Sequence, residues 1–541
     1  MLSGPLPRGR LALWALLVPL AYAPALLVGE RPGPDVWFAV ALACALALAA
    51  WRLLLGGTAL DALAARLAPR AGLIVGLGVA FTFVASLVTA RVRVAMFYDY
   101  NQLGLFTQSA WSTLHGHAFA NNSETVDGTL GSHFGIHFSP TLLGLVPLYA
   151  LWRTPLALLA AQSAALALAA VPLYHLLKRE AGPAGAAVLA LALLALPLFA
   201  WGGARDFHDL NFVPVLLLTV VWAAEARRTG WMLVAAITAL GVREDVGFTL
   251  VLVAFYLLLR GCGLRTAATL AVLGLVWNAI GFRVVMPHFR SPGLWIDPTQ
   301  MFEKLYGQWG ATPARAALAM LTHPVALARM LIGRTSAHYL YELFVPLLLL
   351  PPFGTSAIVV ALPGLATNLL SRLGNMRDPS LYYSLMPITF AALSAFRLAA
   401  ATAARAAETR RAATGLALGL IVFAGTLPAL ALTREGRPAR RSPPPAIARA
   451  LIAVIPKDAV VYAPESLYPA LGTREQFGCY ESVGPRPRDP GFRARYDWIV
   501  LWPAADRPGQ TEDAALADSL AHDPRFESVA GHAPFTVWRR R

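Results

Sequence analysis

Apolar runs about as long as a bilayer is thick recur along the chain from residue 11 to residue 432. A helix needs roughly 20 such residues to cross the hydrocarbon core, so each run is a candidate span. We interpret thirteen runs in this way, which predicts an all-α polytopic membrane protein. They are residues 11–28, 36–55, 72–93, 155–177, 183–201, 211–226, 229–242, 246–260, 266–286, 338–352, 355–371, 381–399 and 412–432.

Two apolar segments need a separate interpretation. Residues 140–152 are too short to span comfortably and fit a helix lying along the membrane face. The first run follows Arg8 and Arg10 and resembles a signal peptide, with Ala21-Tyr22-Ala23 as a cleavage-like site. Pro24 follows directly, which disfavours cleavage, so we interpret this run as a retained anchor.

The composition agrees with a membrane protein and excludes other classes. Of the 541 residues, 57% are hydrophobic and 14% charged, whereas soluble domains carry roughly 25% charged residues. The formal net charge of +15 raises the question of nucleic acid. Much of this charge falls at predicted inner turns, where Arg and Lys orient a membrane protein. No nucleic-acid partner is therefore expected, and membrane lipids are the expected surroundings.

The same charges predict the topology. Arg8 and Arg10 place the N-terminus in the cytoplasm, and Lys178-Arg179 and Arg227-Arg228 mark inner turns. The segment from Val94 to Trp152 has no Lys or Arg and is expected outside. The predicted location is the bacterial inner membrane, with an extracytoplasmic C-terminus. Three parts are expected: a two-span extension (1–70), a membrane domain (71–433, with outer loops 94–154 and 287–336) and an outer domain (434–541).

The outer domain follows a composition shift at Thr433 and a Pro- and Arg-rich linker at 434–445. Residues 459–462, 496–502 and 535–538 are predicted strands, and residues 511–522 a predicted helix. These elements predict a small α/β domain. The three cysteines form no CxxC or Cys/His cluster, which supports neither a disulfide framework nor a zinc site.

Polar clusters interrupt the apolar pattern, and the predicted topology puts all of them on the outer side. Ionisable groups at span ends are functional candidates, although solvation or mutual pairing is the plainer explanation for any single cluster. The clusters are Tyr98–Gln102, His133–His137, Arg205–Asp209, Arg243–Asp245, Asp297 with Glu303, and Arg377–Asp378 with Tyr382–Tyr383.

These residue types suit a glycosyl transfer. A carboxylate can accept the proton of an attacking hydroxyl, and arginine can hold a phosphate leaving group. His133 and His137 lie four residues apart, which alone is a weak signal for a divalent metal; no cofactor is otherwise indicated.

Several motifs resemble those of an uncharacterised family of bacterial predicted membrane proteins, a domain of unknown function. The resemblance covers about residues 95–505. It is carried by Gln102–Gln108, Trp111, His115-Gly116, His137–Pro140, Pro147–Tyr149, Asp206–His208, Arg243–Val246, Ala361–Pro363, Asn368–Ser371, Ile455–Val460 and Tyr496-Asp497.

The layout of that family is similar to the GT-C superfamily of polytopic glycosyltransferases. This similarity implies an acid in the first outer loop, a polyprenyl-phosphate sugar donor and an outer domain. The family usually has an acid directly before Leu-Gly, where this chain has Gln102. Asp99 lies three residues earlier and could present a carboxylate on a similar helical face.

The leading hypothesis is therefore a GT-C-like inverting glycosyltransferase with Asp99 as general base and Arg243 on the carrier phosphate. The residues expected to bind substrate are Gln102, His133, His137, Asp206, His208, Arg243, Glu244, Asp245 and Tyr382. A transporter or lipid flippase is an alternative, and so is a non-catalytic membrane assembly protein, which the replacement of the acid by Gln102 keeps open. The oligomeric state, the sugar and the acceptor are not indicated.

Overall fold

A computed structural model gives the three-dimensional structure. It describes residues 8–28, 34–56, 58–98, 101–291, 293–294, 298–432, 442–479, 487, 489, 491–502 and 510–541. Asp99 and Asp297 and most of the predicted linker lie outside these residues.

Helices dominate the chain up to residue 432, with one small hairpin in the long loop. The hairpin strands are β1 (Ala120–Asn121) and β2 (Gly131–Ser132). The helices are α1 (Arg8–Val28), α2 (Pro34–Leu55), α3 (Thr58–Leu67), α4 (Ala71–Ala95), α5 (Asn101–Thr113), α6 (Leu145–Leu151), α7 (Leu156–Leu168), α8 (Ala170–Leu194), α9 (Pro197–Gly202), α10 (Val213–Glu225), α11 (Thr229–Leu240), α12 (Val246–Leu259), α13 (Leu264–Ile280), α14 (Met286–Phe289), α15 (Pro298–Tyr306), α16 (Pro313–Thr322), α17 (Pro324–Ile332), α18 (Arg334–Phe344), α19 (Ile358–Leu370), α20 (Leu385–Ala404) and α21 (Arg411–Leu432).

Six helical stretches among the described residues are long and apolar enough to cross a membrane, or seven if the bent α16–α17 pair counts as one. The prediction of thirteen spans is therefore not confirmed. One stretch, Leu156–Leu194, contains a break at Gly182, whose φ of 72° and ψ of 161° are not helical. The break falls between the predicted spans 155–177 and 183–201. Glycine can form it because this residue adopts positive φ without steric penalty.

The predicted span 338–352 is wrong. Helix α18 ends at Phe344, and Leu348 and Leu349 both adopt left-handed φ angles, 56° and 57°, where the chain turns. The Ser394 hydroxyl, midway along α20, donates to the Pro351 carbonyl at 3.0 Å and accepts from the Thr355 amide at 2.9 Å. The chain therefore turns between α18 and α19 beside the middle of α20. A helix that crossed the membrane here would continue past this point.

The helix bundle has two distinct ends. At one, which we call the domain end, α5 and the loop that follows it contact the C-terminal domain. The turns that follow α9, α11 and α19 lie at the same end, where Asp206 contacts Gln102, Glu244 contacts His137 and His208 contacts Tyr382. At the other, the opposite end, Arg410 forms an ion pair with Asp61 and donates to the Leu54 carbonyl. This contact joins the start of α21 to the α2–α3 turn. Both turns are predicted on the cytoplasmic side, so their proximity agrees with the charge pattern.

The C-terminal domain contains the predicted mixed α/β fold. Its elements are α22 (Pro445–Val454), β3 (Val461–Tyr462), α23 (Tyr468–Leu471), β4 (Phe477–Gly478), α24 (Phe492–Arg495), β5 (Trp498–Leu501), α25 (Gln510–Ala521), β6 (Phe526–Ser528) and β7 (Thr536–Arg540). The five-stranded sheet has the order β4-β3-β5-β7-β6. The β3–β4 and β3–β5 pairs are parallel, and β7 pairs antiparallel with β5 and β6. The three predicted strands and the predicted helix are present; β4 and β6 were not predicted.

This domain shares a hydrophobic core with the membrane part. Tyr468 and Phe477 pack in one cluster with Leu103 and Phe106 of α5. The Tyr468 hydroxyl donates to Gln108 Oε1 at 2.7 Å, and Gln108 Nε2 donates to the Arg474 carbonyl at 2.9 Å. The contact between the domain and α5 is therefore both apolar and hydrogen-bonded.

Gly104 allows this close approach. A Cβ atom at this position would overlap the ring of Tyr468. We expect Gly104→Ala to lower the free energy of unfolding by about 1–3 kcal/mol, because overpacking forces neighbouring groups to shift. Gly76→Ala in α4 is the control, since its Cβ would have no neighbour within 4 Å. Thermal unfolding of both purified variants measures the difference, and equal midpoints would contradict the expected clash.

Candidate active site at the domain end

Asp206 holds the start of α5. Its carboxylate accepts hydrogen bonds from the backbone amides of Gln102 at 2.9 Å, Leu103 at 2.7 Å and Phe207 at 3.0 Å. The first amides of a helix lack partners within it, and a carboxylate satisfies both their hydrogen-bonding need and the helix dipole. Asp206 therefore positions the segment that directly follows Asp99, and Gln102 takes part in this contact through its backbone.

Glu124 and His133 form a buried pair beside α5. His133 Nδ1 lies 3.0 Å from both carboxylate oxygens, and Asn121 Nδ2 donates to Oε2 at 2.7 Å. Burial opposes ionisation, but the charge and hydrogen bond of His133 and the Asn121 amide outweigh it and lower the pKa of the Glu124 carboxyl. His133 Nε2 is buried and has no hydrogen-bond partner among the described residues.

Glu124 was missed by the sequence analysis as a site residue. The signal that could have found it is an acid in a loop without basic residues, nine positions before a histidine. Pairing across nine residues depends on the β1–β2 hairpin, which the hydropathy pattern does not predict. Its two strands are only two residues each.

His137 and Glu244 form a second pair of the same kind, between residues far apart in sequence. His137 Nδ1 lies 2.9 Å from Glu244 Oε1, and the Phe138 amide donates to Oε2 at 2.9 Å. Burial lowers the pKa of His137, but the charge and hydrogen bond of Glu244 outweigh it and raise this pKa above its usual 6.5. The side chain of Glu244 is buried, whereas that of His137 is 31% exposed.

This pair predicts a pH dependence of stability. A histidine with a raised folded-state pKa stabilises fully below its unfolded pKa, and the effect is lost as pH rises through the folded pKa. We expect the thermal midpoint to fall above about pH 6.5, and Glu244→Gln to remove about 1–2 kcal/mol at pH 6 and to flatten this dependence. Thermal unfolding between pH 6 and 9 measures it.

The control is Glu342→Gln, because Glu342 pairs with His338 at 3.3 Å on an exposed surface. Surface ion pairs contribute little to stability, so this variant should keep the wild-type pH profile. A Glu244→Gln profile parallel to that of the wild type would show that His137 does not titrate as described.

Arg243 and Asp245 are joined by a bidentate ion pair. Arg243 Nε donates to Oδ1 at 2.8 Å and Nη2 to Oδ2 at 2.6 Å. Burial opposes ionisation of Asp245, but the charge of Arg243 outweighs it and lowers the pKa of this carboxyl. Mutual pairing was the plainer explanation for such a cluster, and in the structure Arg243 does pair with Asp245.

His208, Asp209 and Tyr382 complete the cluster. His208 Nδ1 lies 2.5 Å from Asp209 Oδ1, and its ring stacks on that of Tyr382. Burial lowers the pKa of His208 more than Asp209 raises it. Burial also opposes ionisation of Asp209, but His208 and Arg243 outweigh it and lower the pKa of that carboxyl. The Tyr382 hydroxyl donates to the Tyr383 hydroxyl at 2.8 Å.

These pairs form one continuous band. The rings of His133 and His137 are 5.6 Å apart, and the charge of Arg243 acts on both His137 and Asp209. The ring of Phe106 connects the band to α5, at 5.1 Å from His133 and 4.9 Å from Phe207. Of the predicted binding residues, His133, His137, His208, Arg243, Glu244, Asp245 and Tyr382 belong to the band, with Gln102 and Asp206 at its edge.

No metal centre is formed by the described residues, among which no three His, Cys, Asp or Glu side chains gather as ligands. The structure also contains a polar cluster that was not among those named from the sequence. At the opposite end, the buried Arg397 lies 2.6 Å from Glu225 and 3.4 Å from Glu180. Arg260 contacts the same two acids at 3.3 Å and 3.5 Å.

Long apolar helices and a polar band at one end define a multi-pass membrane protein. The family described as Predicted membrane protein (DUF2079) matches residues 94–530 of this chain. The chain belongs to this family. The match begins at the end of α4, so it includes the complete polar band and most of the C-terminal domain.

Two solved structures similar to this chain are of ArnT from Cupriavidus metallidurans. The one bound to undecaprenyl phosphate is 14% identical with a TM-score of 0.43, and the apo one is 16% identical with a TM-score of 0.46. Each comparison covers 86% of this chain and 97% of the ArnT chain. Both scores lie below 0.5, which is too low to define a shared fold. No curated protein matches the chain.

Proposed function

We propose that the chain is an inverting membrane glycosyltransferase of GT-C-like architecture, which transfers a sugar from a polyprenyl-phosphate donor to an extracytoplasmic acceptor. The observation that carries this proposal is the band of paired carboxylates, histidines and Arg243 at one end of a membrane-embedded helix bundle. A lipid-linked donor would place its phosphate at the level of this band while its chain stays among the apolar helices.

Asp99 is the proposed general base. The acceptor hydroxyl oxygen attacks the anomeric carbon, and the bond from that carbon to the phosphate oxygen breaks with its electron pair leaving on the phosphate. The hydroxyl proton passes to the Asp99 carboxylate. Asp206 supports this assignment indirectly, because it fixes the start of α5 two residues after Asp99.

Arg243 is the proposed contact of the carrier phosphate. Asp245 takes the Nε and Nη2 edge of the guanidinium, so Nη1 lies outside that contact and can point to an anion. The nearby ionised carboxylates of Asp209 and Asp245 fix the position of the guanidinium, which favours a preorganised site. His133, His137, His208, Glu244 and Tyr382 would line the sugar-binding region.

The orientation belongs to the same proposal. Arg and Lys residues at the opposite end favour a cytoplasmic position for it, by the positive-inside rule. The domain end, with the loop from Val94 to Trp152 and the C-terminal domain, would then face the periplasm or exterior. The variants Asp127→Cys and Arg227→Cys would check this orientation, because the two positions lie at opposite ends of the bundle. Labelling of each cysteine by a membrane-impermeant thiol reagent is the measurement.

The function itself is tested with purified protein in vesicles that contain a radiolabelled polyprenyl-phosphate sugar. We expect loss of label from the lipid and its gain by an added envelope acceptor. A panel of donor sugars is required, and protein denatured by heat is the control. Movement of the lipid between leaflets without transfer of any sugar would contradict the proposal.

That contrary result would favour a lipid flippase. The specific observation in its favour is Arg397, a charge buried within the apolar helix α20 and paired with acids from other helices. Charges inside spans are typical of transporters. The polar band favours transfer chemistry, because it lies at span ends with most of its ionised groups already paired.

A further inference from the structure

A row of cationic and aromatic side chains lies at the opposite end of the bundle, far from the polar band. Lys178 Nζ is 5.8 Å from the centre of the Tyr174 ring, and Arg228 Cζ is 5.6 Å from that of Trp222. His175 lies between the two rings, 5.2 Å from Tyr174 and 5.6 Å from Trp222. We call these five residues the cationic row.

The positive charge of the row is not neutralised within the described part of the chain. Lys178 and Arg228 have no ion pair there, and both charges act on His175. The acids nearest in sequence are Glu180 and Glu225, and both are bound by Arg260 and Arg397. The two sets of charges are therefore separate: a balanced network of two arginines with two glutamates, and an unbalanced cationic row.

The row borders the lipid. Arg228 directly precedes α11, on which Trp231, Val234 and Ile237 are 60%, 59% and 51% exposed. Apolar side chains exposed in this spacing on a membrane helix face acyl chains. No side chain caps the first turn of α11, so its amides and the helix dipole add positive potential beside Arg228.

We propose that the cationic row binds the phosphate headgroup of an anionic phospholipid in the leaflet at the opposite end. Lys178 and Arg228 would contact the phosphate, Trp222 and Tyr174 would hold their cationic side chains in place, and the acyl chains would lie along α11. Basic pockets between membrane helices bind anionic headgroups in this manner. This inference does not depend on the proposed glycosyl transfer, because the two sites lie at different ends of the bundle.

The chain offers a matched control for the general attraction between basic turns and anionic lipids. Arg179 and Arg227 are adjacent in sequence to Lys178 and Arg228 and are exposed. The double variants Lys178→Gln/Arg228→Gln and Arg179→Gln/Arg227→Gln therefore remove the same charge from the same face. Only the first pair contacts the aromatic rings.

The test is binding of cardiolipin to the purified full chain in phosphatidylcholine nanodiscs, read by native mass spectrometry and by the thermal midpoint. The wild type should retain cardiolipin and gain thermal stability from it. Lys178→Gln/Arg228→Gln should weaken retention about tenfold or more, and Arg179→Gln/Arg227→Gln by less than about threefold. Inorganic phosphate at millimolar concentration should not replace the lipid.

Three results would overturn the proposal. They are equal weakening by both double variants, no preference of the wild type for cardiolipin over phosphatidylcholine, and full replacement of the lipid effect by inorganic phosphate. The thermal midpoint in phosphatidylcholine alone checks that each variant is folded. If the first variant does not fold, the single variants Lys178→Gln and Arg179→Gln are compared in the same way.

Discussion

Asp99→Asn is expected to lower the rate of sugar transfer by about 100- to 10,000-fold, the range that a positioned general base contributes. The amide keeps the size of the side chain but cannot accept the proton of the acceptor hydroxyl. The rate should fall with little change in the Km for the lipid donor, because Arg243 and the apolar helices would still bind it. Initial rates in vesicles at several donor concentrations measure both quantities.

The matched control is Asp127→Asn. Asp127 lies in the same loop without basic residues, but it is exposed and accepts hydrogen bonds from its own neighbour Thr129. This variant should keep the wild-type rate. If Asp99→Asn transfers sugar at the wild-type rate with a normal amount of folded protein, Asp99 is not the base. Glu124 would then be the acid to test next, because its partner His133 has a buried Nε2 without a described partner.

Apolar periodicity predicted much of the helical architecture. The runs 36–55 and 72–93 correspond closely to α2 and α4, and the predicted strand 496–502 contains β5. Such segments are long or continuously apolar, so local composition determines them. The span 338–352 failed because a sequence of apolar residues does not show whether a helix continues or turns back. In the structure, the turn forms hydrogen bonds with Ser394 of α20, and such a contact with another helix leaves no local signal in the sequence.

The candidate site was predictable in its residue types but not in its pairs. Histidines, acids and Arg243 at span ends indicated where chemistry could lie. The partners do not follow from the sequence, because Glu244 binds His137, which lies 107 residues earlier in the chain, whereas its neighbour Asp245 binds Arg243. Adjacent side chains point in different directions at the turn before α12. The packing of the loop that contains His137 onto this turn determines which carboxylate pairs with which cationic group.

The glycine of the family-like Gln102-Leu103-Gly104 motif shows the same limit. From the sequence alone, this motif contributes only to a resemblance. The structure gives Gly104 a physical role, since a side chain there would meet Tyr468, more than 350 residues later in the chain. Contacts between such distant residues leave no local periodic signal, which is why the shared core of α5 and the C-terminal domain was not predicted.

Arg397→Met is expected to lower the free energy of unfolding by about 3–5 kcal/mol, the range for breaking a buried ion pair by removing one partner. Arg397 is 1% exposed and binds Glu225 through two contacts of 2.6 Å and 2.7 Å. Methionine fills much of the same space, but it leaves Glu225 and Glu180 with Arg260 alone. The thermal midpoint and the yield of folded protein in detergent measure the loss.

Two further variants separate this loss from other effects. Arg405→Gln removes an exposed arginine that directly follows the same helix. The free energy of unfolding of this variant should stay within about 0.5 kcal/mol of that of the wild type. Adding Glu225→Gln to Arg397→Met should recover part of the loss, because it removes the carboxylate that lost its partner. If the double variant is less stable than Arg397→Met, Glu225 stabilises the bundle mainly through Arg260, and the buried arginine is not the centre of the network.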